Sequence, residues 1–341
     1  MIYQKLFGFV LLLTFWAIGF AQDSQNAHSK TVAERLGYPA DSRLLVIHAE
    51  DFGMAHSINR ATIDALEKGW ITSASILVPC PWFPEVARWA KAHPEADLGI
   101  RLDLNSEWKD YRWRPISDQS TGSGLVDAEG YLPLLEVYVA HNAKMEEVER
   151  ETRAQIERAT SAGIHVSHLD THMRTLMWTP DLFRVYWGLG QKYQLPAVVP
   201  SYHIRERGTM GPRNQFAVAG IGVDAEQVPL DSVLEILPGI AKADWLSAYE
   251  KTLTGLPPGV YELSVHLGYN DEELQGMTWD HPNWGAQWRQ NDLEVVSNPE
   301  FQKFLKDQKF VLVTWRELGA AIPFHGGIAS AEPSSSQPVH H

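Results

Sequence analysis

Short apolar runs rich in Val, Ile and Leu alternate along the chain with segments of helical period, and this alternation restricts the fold more than any other feature. Residues 43–48, 73–78, 98–104, 164–169, 197–199, 259–266 and 310–313 read as strands. Between them, residues 57–68 place Ile58, Ala61, Ala65 and Leu66 on one helical face, with Ser57 as cap and Gly69 as stop. Residues 84–93 give a second helix ending before Pro94, residues 144–162 a charged amphipathic one closed by Gly163, and residues 180–193 another with proline in its first turn. Strands that alternate with helices pair in parallel through right-handed crossovers. The expectation is a single α/β domain over residues 32–325, a parallel (β/α) barrel or distorted TIM-like barrel rather than an open sheet. Residues 106–134 and 200–228 are long, rich in Gly, Pro and aromatics, and are expected to form lids or substrate walls.

The ends of the chain fall outside that pattern. Lys5 precedes an apolar run over residues 6–20, and Gly19 and Ala21 stand at the −3 and −1 positions before Gln22. This is the form of a cleaved secretory leader over residues 1–21, followed by a mature extension over 22–31. It predicts a periplasmic or secreted protein without stable membrane insertion, an uncleaved anchor being the alternative. Residues 326–341 are polar, lack periodicity and read as a disordered tail. A lone cysteine, Cys80, rules out an intramolecular disulfide and sits in an apolar run as a small hydrophobe. Net charge is −13, and −14 once Lys5 leaves with the leader, which argues against nucleic acid as partner. Homo-oligomerisation is left open.

In parallel α/β folds the active site lies at the C-terminal ends of the strands. Here those ends are polar. The first carries Glu50 and Asp51, the third Arg101 and Asp103, the fourth His168, Asp170 and His172, and a late one His266. Singly, each has a bland reading: Glu50 and Asp51 suit a turn, and an isolated strand-end histidine is usually structural. Asp170, bracketed by His168 and His172, suits a metal or acid–base site, either as a participant or as the partner that orients one imidazole. Four strand ends together outweigh any one residue. A His-Glu-x-x-His helix, a Gly-x-Ser-x-Gly elbow and Gly-rich nucleotide loops are all absent from the sequence.

The ordered set resembles the YdjC-like carbohydrate deacetylases. Ile47-His48-Ala49-Glu50-Asp51-Phe52-Gly53 is similar to that family's Asn-Ala-Asp-Asp-Phe-Gly signature, and Gly99-Ile100-Arg101-Leu102 to its Gly-x-His-(Leu/Phe) strand. His168-Leu169-Asp170-Thr171-His172 matches its His-x-Asp-Ser-His motif, and Val265-His266-Leu267-Gly268 resembles its late His-Pro-Gly. Residues 288–293 and 314–318 resemble its C-terminal segments. The resemblance implies a barrel-like hydrolase that removes acetyl groups from N-acetylated oligosaccharides with a divalent metal (Mg, Zn or Mn). It implies Asp51 and His172 as metal ligands, Glu50 as base and His266 as general acid. A metal polarises the amide carbonyl and acidifies its bound water, a carboxylate takes the proton, and a histidine protonates the leaving amine. Thirteen tryptophans suit a carbohydrate ligand, although core packing accounts for them equally.

One position departs from the pattern. Where the family has its second imidazole ligand, this chain has Arg101, whose guanidinium has no lone pair for a cation. Three expectations follow. Asp103, two residues on and on the same face of a regular strand, rebuilds the metal site; or Arg101 takes the cation's place and leaves a catalytically inactive carbohydrate-binding relative; or Arg101 serves a different chemistry by binding an anionic substrate group.

Overall fold

The computed structural model describes residues 30–118, 122–199, 220–221 and 227–324. The leader at 1–21, most of the 22–31 extension, the 326–341 tail and nearly all of the 200–228 segment lie outside those residues.

Among the described residues, seven strands form one parallel sheet: β1 (Arg43–Phe52), β2 (Ser73–Ile76), β3 (Leu98–Leu102), β4 (Val166–Thr171), β5 (Ser232–Glu235), β6 (Gly259–Val265) and β7 (Phe310–Leu312). Their order is β4-β3-β2-β1-β6-β5. β1 is the axis. Its residues 43–49 pair with β6, and its other edge is shared by β7 at residues 43–45 and β2 higher up. Beyond β4, Ala197 bridges to Leu169. The next residue, Val198, packs in one buried cluster with Leu230, against which Val233 of β5 also rests. The sheet therefore curves until its two flanks approach each other, a barrel-like α/β architecture.

β1 is buried over its whole length except Arg43, as a strand covered on both faces must be. Helices supply the outer layer. The helix His56–Glu67 buries Ile58, Ala61 and Ala65, the positions that set its apolar face in the sequence. The helix Met145–Ser161 buries Val148, Ile156 and Ala159, and Pro180–Tyr193 starts at its proline with Thr179 capping Leu182 N–H. None of the described helices is long and apolar enough to cross a membrane.

The barrel interior carries buried polar groups packed between aromatic rings. His168 stacks on Trp315 at 5.1 Å between ring centroids and meets His48 edge-on at 5.0 Å. Gly99 makes room for it, since a Cβ there would lie 2.3 Å from His168 Nε2. His48 bonds Ser73 and Ser75, and Trp315 Nε1 donates to Glu262 at 2.6 Å.

Candidate active site

The C-terminal ends of the strands open into a cavity of about 730 Å³. At its floor stand Glu50 and Asp51, consecutive residues that a regular strand would send to opposite faces. The β1–β2 register holds at Ala49↔Ala74 and then shifts before Phe52↔Ile76. At that irregularity Asp51 takes φ 65°, and both carboxylates line the cavity. A left-handed residue costs about 1 kcal/mol, least for Asp and Asn, and such strain gathers at functional sites. Gly53 follows at φ 105°, where its N–H donates to Asn59 Oδ1 at 2.7 Å and fixes the turn. After β4 the chain repeats the device: His172 is followed by Met173 at φ 49° and Arg174 at φ 56°.

Arg101 occupies the centre. Its Nη2 pairs with Glu50 and its Nη1 with Asp170. Its Nε lies 3.2 Å from Asp51 Oδ1 and donates to His172 Nδ1, also at 3.2 Å. Burial opposes a charge here, but Asp170, Glu50 and Asp51 outweigh it and hold the guanidinium above its ordinary proton affinity. A second guanidinium closes the far side, with Arg289 Nη2 on Asp51 Oδ2 at 2.8 Å. Burial pushes the Asp51 carboxyl up, yet Arg289, His172 and Arg101 hold it well below the usual carboxylate range.

His172 faces Glu107 through Nε2 at 3.0 Å. Burial disfavours its charge, while Glu107 and Asp103 favour it strongly. Those carboxylates and the Arg101 contact pull in opposite directions. A charged ring would set two N–H donors against each other 3.2 Å apart, so the hydrogen-bond geometry fits the neutral ring with its proton on Nε2.

His266, the residue after β6, completes the floor. Its Nε2 lies 2.9 Å from Glu50 Oε2, its ring is tilted against Trp288, and its backbone N–H donates to Asp292 at 2.9 Å. Burial lowers its proton affinity, but Glu50 more than restores it, so the pKa is raised. Burial likewise pushes Glu50 up, and Arg101 and His266 overcome that to hold it far below the carboxylate range. Glu50 also accepts the Ser264 hydroxyl. His266 Nδ1 is buried without a hydrogen bond, 3.9 Å from Glu235 Oε1.

Of the residues singled out in the sequence, Glu50, Asp51, Arg101, Asp170, His172 and His266 meet at this floor. Asp103 and His168 do not. β3 ends at Leu102, so Asp103 leaves the strand's alternation; its Oδ2 accepts Trp113 Nε1 at 2.6 Å and its Oδ1 the Asn105 N–H at 2.8 Å. The carboxylate expected to replace the missing imidazole ligand is thus turned to Trp113 and Asn105 rather than to the floor where Asp51 and His172 meet. Burial raises its pKa to about 7. His168 lies in the barrel interior, and burial followed by the neighbouring His48 holds it well below the usual imidazole range. Among the lining residues to which the sequence assigned no role, Glu107 sits in a loop, Glu235 on a strand whose apolar run (Val233, Leu234, Ile236, Leu237) is short and interrupted, and Arg289 on a helix whose face only the fold reveals.

One candidate place for a divalent ion of the kind the family resemblance implies is between Asp51 Oδ1 and His172 Nδ1, 3.5 Å apart. Oδ1 has no hydrogen bond of its own and Oδ2 is taken by Arg289. An ion about 2.1 Å from both atoms on the Arg101 side would collide with Nε. Glu50, Asp51 and His266 also bring ligand atoms within 4.8 Å of one another, but Glu50 and Asp51 are the carboxylates that Arg101 holds. With Arg101 in place, the carboxylates of both positions are already paired with a guanidinium, which makes them a poor fit for a divalent cation.

Several known proteins share this frame. A protein of Thermus thermophilus described as a carbohydrate deacetylase is 30% identical over 300 residues, covering 85% of this chain and 98% of its own. One of Brevibacillus brevis with the same description is 27% identical over 276 residues, 81% and 99% of the two chains. A crystal structure from Enterococcus faecalis, described as a putative cellobiose-phosphate cleavage protein, superposes with a TM-score of 0.66 at 21% identity over 82% of this chain and 99% of that one, and so shares the fold. The family model described as YdjC-like protein matches residues 44–307, so the chain belongs to the YdjC-like family.

Proposed function

We propose that this protein binds an N-acetylated saccharide in the cleft and hydrolyses its acetamide, as a carbohydrate deacetylase. The observation that carries the reading is the Glu50–His266 pair at 2.9 Å. Amide hydrolysis needs an unprotonated base beside a protonated acid. Here Arg101 keeps Glu50 ionised and Glu50 keeps His266 charged. Water adds to the carbonyl carbon as Glu50 takes its proton, with Arg101 beside the developing oxyanion. The C–N bond then breaks as His266 gives its proton to the nitrogen, leaving acetate and a free amine. Trp178 and Trp284, both partly exposed at the cleft, offer flat faces to sugar rings. The descriptions of the Thermus and Brevibacillus relatives support the same chemistry.

A second reading, saccharide binding without turnover, is favoured by one feature: Glu50 is engaged by Arg101, His266 and Ser264 together and is correspondingly a weak base. Acetate release from N-acetylated di- and oligosaccharides, with calorimetric titration of the same sugars, separates the two. Hydrolysis should fall about 100-fold or more in His266→Ala. Sugar binding with no acetate released would leave the binding reading standing, and neither binding nor release would remove both. We also propose, from the leader alone, that the mature chain works outside the cytoplasm.

A further inference from the structure

We infer that Arg101 is this site's permanent cation: its guanidinium stands where a divalent ion would, so the native protein takes no metal there, and a metal site lies latent one substitution away.

Three observations converge. First, position. Nε is 3.2 Å from Asp51 Oδ1 and 3.2 Å from His172 Nδ1, the oxygen and the nitrogen that would coordinate an ion together. Second, saturation. The two other guanidinium nitrogens reach Glu50 and Asp170, so three carboxylates and one imidazole share a single cation fixed to the backbone. Planar, multidentate pairing of this kind is a property of guanidinium that ammonium lacks. Third, exclusion. The alternative ligand, Asp103, is turned to Trp113 and Asn105 and is not offered to an ion that displaced the arginine. An ion entering would meet a buried positive charge and would have to expel a group held by three acids.

The consequence is specific. Removing the guanidinium leaves Asp51, His172 and Asp170 around a cavity of about the right charge for a divalent ion. Arg101→His adds an imidazole, where the guanidinium began, as a third ligand to Asp51 and His172. Three protein ligands with an open position make a tetrahedral site of the catalytic kind.

The inference stands whether or not the cleft turns over a saccharide, because its test reads metal and not activity. Native protein, Arg101→His and Arg101→Ala are titrated with Zn²⁺ by calorimetry and with Co²⁺ by visible absorption, after near-UV dichroism has shown which variants keep the native packing. The native chain should show no saturable binding at millimolar ion. Arg101→His should take one equivalent at least about 100-fold more tightly, with tetrahedral Co²⁺ bands, and should lose it in Arg101→His/His172→Ala. Arg101→Ala, which needs no new side chain to fit, should bind more weakly than Arg101→His and more tightly than the native chain. One equivalent held by the native chain, and lost in Asp51→Asn, would overturn the inference, even if no Arg101 variant folds. So would a folded Arg101→His as inert as the native chain. Acetate release measured in parallel with and without chelator keeps the two readings apart: a protein that releases no acetate still reports its metal binding.

Discussion

Asp51, Arg101 and His172 carry most of the account, and each is legible from a different kind of information. The acids and histidines at strand ends are visible in the sequence because parallel α/β folds gather such ends. That Arg101 bonds Glu50, Asp51, Asp170 and His172 together is not, since it depends on the β1 irregularity that turns two consecutive carboxylates into one cavity. Glu235 is a missing partner recognisable only in the fold, 3.9 Å from a His266 nitrogen that is buried and otherwise unpaired. Its charge helps hold the His266 proton, so Glu235→Gln should move the imidazole titration, followed by NMR, to lower pH. An unmoved titration would show that Glu235 does not act on His266. Asp103 supplies a stability prediction. Its folded pKa is about 7 against 3.8 for the free group, because it is buried. The folded state then binds more protons than the unfolded state between these values. Stability is therefore undiminished below about pH 4, falls as pH rises through about 7, and levels off above, with a slope on the order of 1 kcal/mol per pH unit. Urea unfolding at several pH values should show this slope in the native chain and its loss in Asp103→Asn, which cannot titrate there. An identical slope in both would assign it to other groups.

Elements read well wherever apolar period and punctuation agree. Helix Pro180–Tyr193 has the bounds its proline and periodicity predict, and residues 57–68 appear as His56–Glu67. Residues 197–199 read as a strand but make a single bridge, to Leu169, and β5 escaped notice because Ser-Val-Leu-Glu is too short and mixed to stand out. Residues 98–104 read as one strand, whereas the ladder stops at Leu102; that difference of two residues is why Asp103 points elsewhere. Packing between β3 and β4 depends on the absence of a side chain at Gly99. Gly99→Ala would drive a methyl against the His168 ring, which Trp315 backs. Overpacking of this sort costs about 1–3 kcal/mol, to be read as a lowered urea midpoint at unchanged m-value. A midpoint equal to that of the native chain would mean that the His168 ring moves freely, against the packed interior described above.

At the scale of the molecule, a curved parallel sheet brings side chains from four strands to one floor, while loops and helices after the strands supply Glu107, Trp178, Trp284 and Arg289 as walls. That architecture, shared over residues 44–307 with the YdjC-like family, was legible from the order of motifs. At the centre of this floor stands a cation that is part of the chain, Arg101. The most direct test is the metal content of native protein, purified without chelator or added metal and assayed by elemental analysis. Native protein should hold far less than one equivalent of any divalent transition metal, and should gain none after incubation with zinc followed by desalting. About one equivalent per chain, removed by chelator and restored by metal, would contradict it.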